Sequence, residues 1–256
     1  MLGAAIGDIV GSRFEFNNCK RTDFELFTAQ SDFTDDTVCT VAVADWILRG
    51  AGDDLVAIMQ SWCRRYPYPK GAYGLRFRDW IHSDAPQPYN SLGNGSAMRV
   101  SAVGWAFDDL ATTLEYAKRS AAITHNHPEG IAGAQATAAA IFWARKGYDK
   151  NDIREQITAQ FAYDLTMSCD ELRPVYRYTE FCAKTVPPAL IAFLDSENFE
   201  HAIRLAVSLG GDSDTLTAIT GSIAEAFYGE IPVEIQQSAL QILPAELAEI
   251  LLAVKS

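Results

Sequence analysis

The sequence predicts an all-α fold on three observations. Apolar residues recur at helical spacing in several long segments, alternating β-branched runs are nearly absent, and helix-start and helix-stop residues bracket the periodic stretches. "DDTVCTVAVADWILRG" (35–50) places apolar residues at 38, 41, 42, 46 and 47 and stops at Gly50. "DDLVAIMQSWCRRYP" (53–67) repeats the design, with acids first, an apolar stripe, then Arg64 and Arg65 ahead of Pro67. "AMRVSAVGWAF" (97–107) reads as a helix entered from a glycine-rich loop. "PEGIAGAQATAAAIFWARKG" (128–147) has proline near its start and glycine past its end, and its small residues admit close helix neighbours. "GGDSDTLTAITGSIAEAFYG" (210–229) turns from an acidic opening into a mostly apolar helix, and "LPAELAEILLAVK" (243–255) is amphipathic. Segments 14–33 and 66–94 read as long loops, which in compact domains are usually functional.

Composition narrows the function classes. At 256 residues, without a linker or repeat, the chain reads as one domain, 1–256. A net charge of -12 argues against non-specific nucleic-acid binding and against an anionic membrane surface. It leaves room for an anionic small substrate, because bound divalent cations invert the local field. Five cysteines, an odd number without a CxxC pair, suit a reducing compartment. "MLGAAIGDIVGS" has no basic leader and Asp8 interrupts its apolar run, so neither a signal peptide nor a membrane span is expected, and the location expected is cytoplasmic.

Two acid clusters carry the chemistry. "FTDDTV" sets Thr34, Asp35 and Asp36 at one helix start, and "GGDSDT" sets Asp212, Asp214 and Thr215 at another. Either cluster alone is read most simply as an N-cap complementing the helix dipole. A helix start needs one cap, however, and surplus buried carboxylates are costly unless something pairs with them. Taken together, the clusters favour a hard-cation site for Mg²⁺, Ca²⁺ or Mn²⁺. If the helix starts converge, four carboxylates are enough for two ions. A third acidic stretch, "GAAIGDIVGSRFEF", carries Asp8 and Glu15 among glycines that suggest tight turns or close backbone approach.

"NSLGNGSAMRV" places Ser91, Gly93, Asn94, Gly95 and Ser96 ahead of a helix, where backbone N–H groups can cradle a phosphate; an ordinary Gly/Asn turn is the competing reading. Arg99 could touch phosphate or form an internal salt bridge. "ITHNHPEG" holds His125 and His127, but the surrounding acids favour a harder metal than zinc, so a hydrogen-bonding role is expected for His125 and a loop position for His127.

"GDIVGSRFEF", "FTDDTV", "GNGSAMR", "ITHNHPEG" and "GGDSDTLTAITGSIAEAFYG", in this order, resemble the ADP-ribosylglycohydrolases. The resemblance implies a compact all-α, multi-helix orthogonal bundle with a binuclear site for two Mg²⁺ (or Mn²⁺), and hydrolysis of the glycosidic bond joining ADP-ribose to an acceptor. Position by position it implies metal ligands at Thr34, Asp35, Asp36, Asp212, Asp214 and Thr215. It implies a gating acid at Glu15, a diphosphate and ribose loop at Ser91, Gly93 and Asn94, and a histidine facing ADP-ribose at His125. The partner implied is the ADP-ribose moiety of a modified protein or small conjugate, with arginine first among acceptors. One of Glu15, Asp35, Asp36 and Asp214 would orient or deprotonate the attacking water. Two departures stand out. Leu92 replaces a tyrosine found in some members, so an aromatic contact is lost or comes from elsewhere, and Glu225 replaces an expected small residue, which changes helix packing. A non-catalytic ADP-ribose-binding or structural protein on the same fold is the alternative from another class. "DSDT" also fits the D-x-D-x-T motif of phosphoryl-transfer hydrolases, but it lies late in the chain and opens a helix.

Overall fold

A computed structural model describes residues 1–254; Lys255 and Ser256, the end of the expected last helix and domain, lie outside the described residues. Fifteen helices are formed among the described residues: α1 (Gly3–Gly11), α2 (Asp35–Leu48), α3 (Leu55–Arg65), α4 (Leu75–His82), α5 (Gly95–Met98), α6 (Ser101–Ala106), α7 (Leu110–Ala122), α8 (Pro128–Arg145), α9 (Lys150–Phe161), α10 (Cys169–Leu172), α11 (Cys182–Asp195), α12 (Phe199–Leu209), α13 (Ser213–Tyr228), α14 (Val233–Ile242) and α15 (Ala245–Ala253). No sheet forms among them, only isolated bridges at Thr34–Lys70 and Gly93–Phe181. Among the described residues no helix is long and apolar enough to cross a membrane.

The pairing of α1 with α13 organises the site. Gly3, Gly7 and Gly11 recur every four residues on one face of α1. A Cβ at these positions would lie 2.2 Å from Gly221 O, 2.1 Å from Thr217 O and 2.5 Å from Ser213 O. The helices therefore run antiparallel in backbone contact, and the end of α1 meets the start of α13. The glycines serve close approach within a helix and do not form turns. Glu225, the larger residue at an expected small position, accepts hydrogen bonds from Leu2 N (2.9 Å) and Gly3 N (2.7 Å) and so caps the start of α1.

α8 and α13 lie deep in one continuous core, with 12 of 18 and 13 of 16 residues buried. Small residues make this possible: a Cβ on Gly133 would lie 2.3 Å from Cys182 Sγ. The five cysteines are unpaired.

Two local expectations are corrected. Segment 66–94 contains α4, whose Phe77, Trp80 and Ile81 are buried at i, i+3 and i+4 spacing. Gly71 and Gly74 just upstream mask this short amphipathic signal. The helix expected over 97–107 is two short helices, α5 and α6, interrupted at Arg99 and Val100. Arg99 is buried there and donates to Ser120 O (3.0 Å) and Thr124 Oγ1 (2.8 Å), holding the break.

Candidate active site

Both acidic helix starts, with the loop that follows α1, line one cavity of about 600 Å³, a size usual for small-molecule sites (about 300–1,000 Å³). Glu15, Asp35, Asp36, Asp212, Asp214 and Thr215 line it together with Ser91, Gly93, Asn94 and His125.

The two starts are built differently. At α2 the hydroxyl of Thr34 accepts from Asp36 N (3.1 Å), so the threonine is the cap and both aspartates are surplus to it. Asp8, from α1, reinforces the same start: its Oδ2 accepts from Thr34 N (2.9 Å) and Thr37 N (3.1 Å). At α13 the N-cap residue, Asp212, makes no capping bond. Its Oδ2 accepts instead from Asn94 Nδ2 (2.7 Å), and Asp214 accepts from Thr215 N (3.0 Å). Gly210 (φ +68°) and Gly211 (φ +74°) make the sharp turn that delivers Asp212 into the cavity, a backbone conformation that side chains other than glycine's disfavour. Asn18 clasps Gly211 from both sides, donating to its carbonyl (2.9 Å) and accepting from its N–H (2.8 Å), which ties the Glu15 loop to the α13 start.

One carboxylate oxygen from each of Glu15, Asp212 and Asp214 lies within 4.8 Å of the others. Asp35 and Asp36 line the same cavity outside this tight triplet. The electrostatics record the crowding. Burial, then Asp212, raises the Asp214 carboxyl well above the ordinary range; burial, then Asp214, does the same to Asp35 and Asp36. Burial, then Asp214 and Asp8, lifts Glu15 to about 8, and burial brings Asp8 and Asp212 to about 6. Asp36 Oδ2 and Asp8 Oδ1 are buried without a hydrogen-bond partner among the described residues. The unpartnered Asp36 oxygen and the crowded carboxylates of this cavity fit hard divalent cations, which would supply the missing positive charge.

The glycine-rich loop departs from a simple phosphate cradle. Gly93 N donates to Ser91 Oγ (3.1 Å) and Asn94 N to Glu180 O (2.7 Å), and the helix that follows is a single turn. The Asn94 amide is directed at Asp212 and Thr185 Oγ1 (3.3 Å). Asn94 thus couples the loop to the acid cluster. His125 lines the cavity, whereas His127 caps α8 by accepting from Glu129 N (3.1 Å). Leu92 does not line the cavity; Tyr89 does, with its ring 6.2 Å from that of His125.

Several residues at or next to the cavity were not singled out as site candidates from sequence. Asp8, which does not line the cavity but holds the start of α2, stood out in the sequence only as one acid of a third stretch. Tyr178 and Glu180 reach the cavity from the segment between α10 and α11 and carry no local motif. They also line a larger, more apolar groove of about 710 Å³ next door, which contains no acid cluster.

The family model described as ADP-ribosylglycohydrolase matches residues 1–254. Among similar proteins, the ADP-ribosylarginine hydrolase Tri1 of Pseudomonas putida (strain GB-1) is 26% identical over 259 residues, covering 90% of this chain and 69% of that protein. The ADP-ribosylhydrolase ARH3 of Xenopus tropicalis is 24% identical over 312 residues, covering 93% and 89%. A solved structure titled as an ADP-ribosylglycohydrolase-related protein complex superimposes with a TM-score of 0.76 at 24% identity, covering 99% of this chain and 94% of that one, a likeness of fold. The chain belongs to the ADP-ribosylglycohydrolase family, glycosidase-type hydrolases, and carries the all-α fold of that family.

Proposed function

We propose that the chain hydrolyses the N-glycosidic bond between ADP-ribose and an arginine side chain of a modified protein, with two Mg²⁺ or Mn²⁺ ions held in the acid-lined cavity. The observation that carries this reading is the convergence of Glu15, Asp36, Asp212 and Asp214 on one cavity, with the buried Oδ2 of Asp36 left unpartnered. Thr34, Asp35 and Asp36 would hold the cations from α2, and Asp212, Asp214 and Thr215 from α13. Such ions, when bound, supply Lewis acidity toward vicinal ribose hydroxyls and water.

The remaining work falls to side chains. Glu15, half-buried with a carboxylate oxygen within 4.8 Å of those of Asp212 and Asp214, is placed to exchange a proton with the attacking water or the leaving group. Asp35, Asp36 and Asp214 present negative charge to a ribose that becomes cationic as its bond to the acceptor breaks. Ser91, Gly93 and Asn94 form the wall along which diphosphate and ribose would lie, and Asn94 fixes the orientation of Asp212. An arginine acceptor is supported by Glu180, an exposed carboxylate on the cavity wall that forms no ion pair among the described residues and accepts from Tyr178 OH (3.0 Å). A guanidinium would match it. A non-catalytic ADP-ribose binder is disfavoured by the intact acid cluster. The five unpaired thiols keep a reducing, cytoplasmic setting as the preferred location.

The test is release of ADP-ribose from arginine-modified and serine-modified proteins with Mg²⁺, with Mn²⁺ and with chelator. Metal-restored release from the arginine conjugate is expected. Equal turnover in excess chelator would remove the metal assignment, and release from the serine conjugate alone would remove the arginine assignment.

A further inference from the structure

Nδ1 of His125 lies 2.7 Å from Thr124 Oγ1, while its Nε2 makes no hydrogen bond among the described residues. Nε2 faces the glycine-rich loop: a Cβ on Gly95 would lie 3.1 Å from it and one on Gly93 3.5 Å. The side chain is 6% exposed and lines the acid-walled cavity. Behind it, Arg99 Nη2 donates to Thr124 Oγ1 at 2.8 Å and to Ser120 O at 3.0 Å. Arg99 is itself buried and pairs with no carboxylate among the described residues, so the salt bridge open to it from sequence does not form. Thr124 is fully buried, and its carbonyl accepts from Tyr89 N (3.4 Å) and Ser91 N (3.3 Å), which pins it against the loop.

We propose that Arg99 and Thr124 are a positioning pair that holds His125 in the Nε2-protonated tautomer and aims that N–H into the cavity as a donor to an anionic oxygen of the substrate. A guanidinium can only donate, so Thr124 Oγ1 accepts from Arg99. The threonine hydrogen then points elsewhere, and the acceptor in reach is His125 Nδ1. The opposite tautomer would place two donors on the threonine oxygen and leave its own buried hydrogen without an acceptor. A doubly protonated ring would do the same and add a positive charge beside Arg99. Burial, with Arg99 acting in the same direction, holds the imidazole well below its ordinary pKa, so at neutral pH the tautomer and not the charge decides what Nε2 offers. The identity of the accepting oxygen, diphosphate or ribose, rests on the ADP-ribose reading above; the relay does not.

The experiment is nitrogen-15 NMR of the histidine rings in the full chain without ligand, with His125→Gln used to assign the His125 signals, followed by ADP-ribose calorimetry. Wild type should show unprotonated Nδ1 and protonated Nε2 at neutral pH. Thr124→Val should mix the tautomers and weaken ADP-ribose binding about tenfold, the worth of one hydrogen bond to a charged group. Thr124→Ser should restore both the tautomer and the affinity, and Mg²⁺ affinity should change in neither variant. Protonated Nδ1 in wild type, or a Thr124→Val spectrum identical to wild type, overturns the relay. A wild type with the expected tautomer that fails to bind ADP-ribose overturns the substrate reading and with it the target of the donor, while the relay stands.

Discussion

The starts of α2 and α13 look alike in sequence and differ in construction. Each opens on a pair of carboxylates with a threonine. At α2 a threonine performs the capping and a distant carboxylate, Asp8, secures the turn, so Asp35 and Asp36 are left over. At α13 the cap residue itself makes no capping bond, because Asp212 is taken by Asn94 from another loop, and only Asp214 accepts from a first-turn N–H. An acidic residue at a helix start is therefore not defined by its position. Its role depends on which N–H groups the tertiary structure leaves for it.

The largest expected effect separates chemistry from architecture. Asp214→Asn should lower kcat/KM for an ADP-ribosylated substrate by at least about 100-fold, since even residues that only support metal ligands cost about 10–100-fold. Its metal-free stability should be no lower than that of wild type, because one of several repelling carboxylates is neutralised. A variant that unfolds more readily but turns over normally would return Asp214 to a structural role.

Next in size is the response to metal. A cation that binds only the folded state adds about 2.7 kcal/mol when free metal is 100 times its dissociation constant. For a domain of this size that corresponds to a melting temperature higher by about 5–10 °C. Millimolar Mg²⁺ should produce such a rise in wild type and a much smaller one in Asp214→Asn. Identical melting curves with and without Mg²⁺ would end the metal reading of both helix starts.

The caps themselves should differ by about 1 kcal/mol. In the metal-free protein Thr34→Ala should cost about 0.5–2 kcal/mol, the loss of a working cap. Asp212→Asn should cost no comparable amount, because Asp212 caps nothing. Urea unfolding of both variants checks this, and equal losses would erase the contrast between the two starts.

The shallowest effect is spread over several pH units. Glu15 is raised to about 8 and Asp8 and Asp212 to about 6, so the folded metal-free protein binds protons that the unfolded chain has already released. Their contribution to stability is full below the unfolded values near pH 4 and is lost as pH rises through 6 and 8. The urea midpoint of metal-free protein should thus fall from pH 5 to pH 8 at fixed ionic strength, and Mg²⁺ should reduce the fall. A midpoint that rises over this interval without metal would contradict the raised carboxyls.

Helical periodicity, the missing strand pattern and the paired acid clusters are local properties, and from them the sequence by itself determined the fold class and the richest site candidates. Asp35, Asp36, Asp212 and Asp214 were legible because surplus carboxylates beside apolar helices are costly wherever the chain goes. Tertiary structure decided the rest. The face of Gly3, Gly7 and Gly11 sets how closely α1 lies on α13, and that distance brings Glu15 to the aspartates and Asp8 to the start of α2. Glu180 and Tyr178 join the site from a segment without any motif, and Thr124 becomes an intermediary only because Arg99 breaks a helix beneath it. These are contacts between residues far apart in the chain, specified by which surfaces pack together, and no local spacing encodes them.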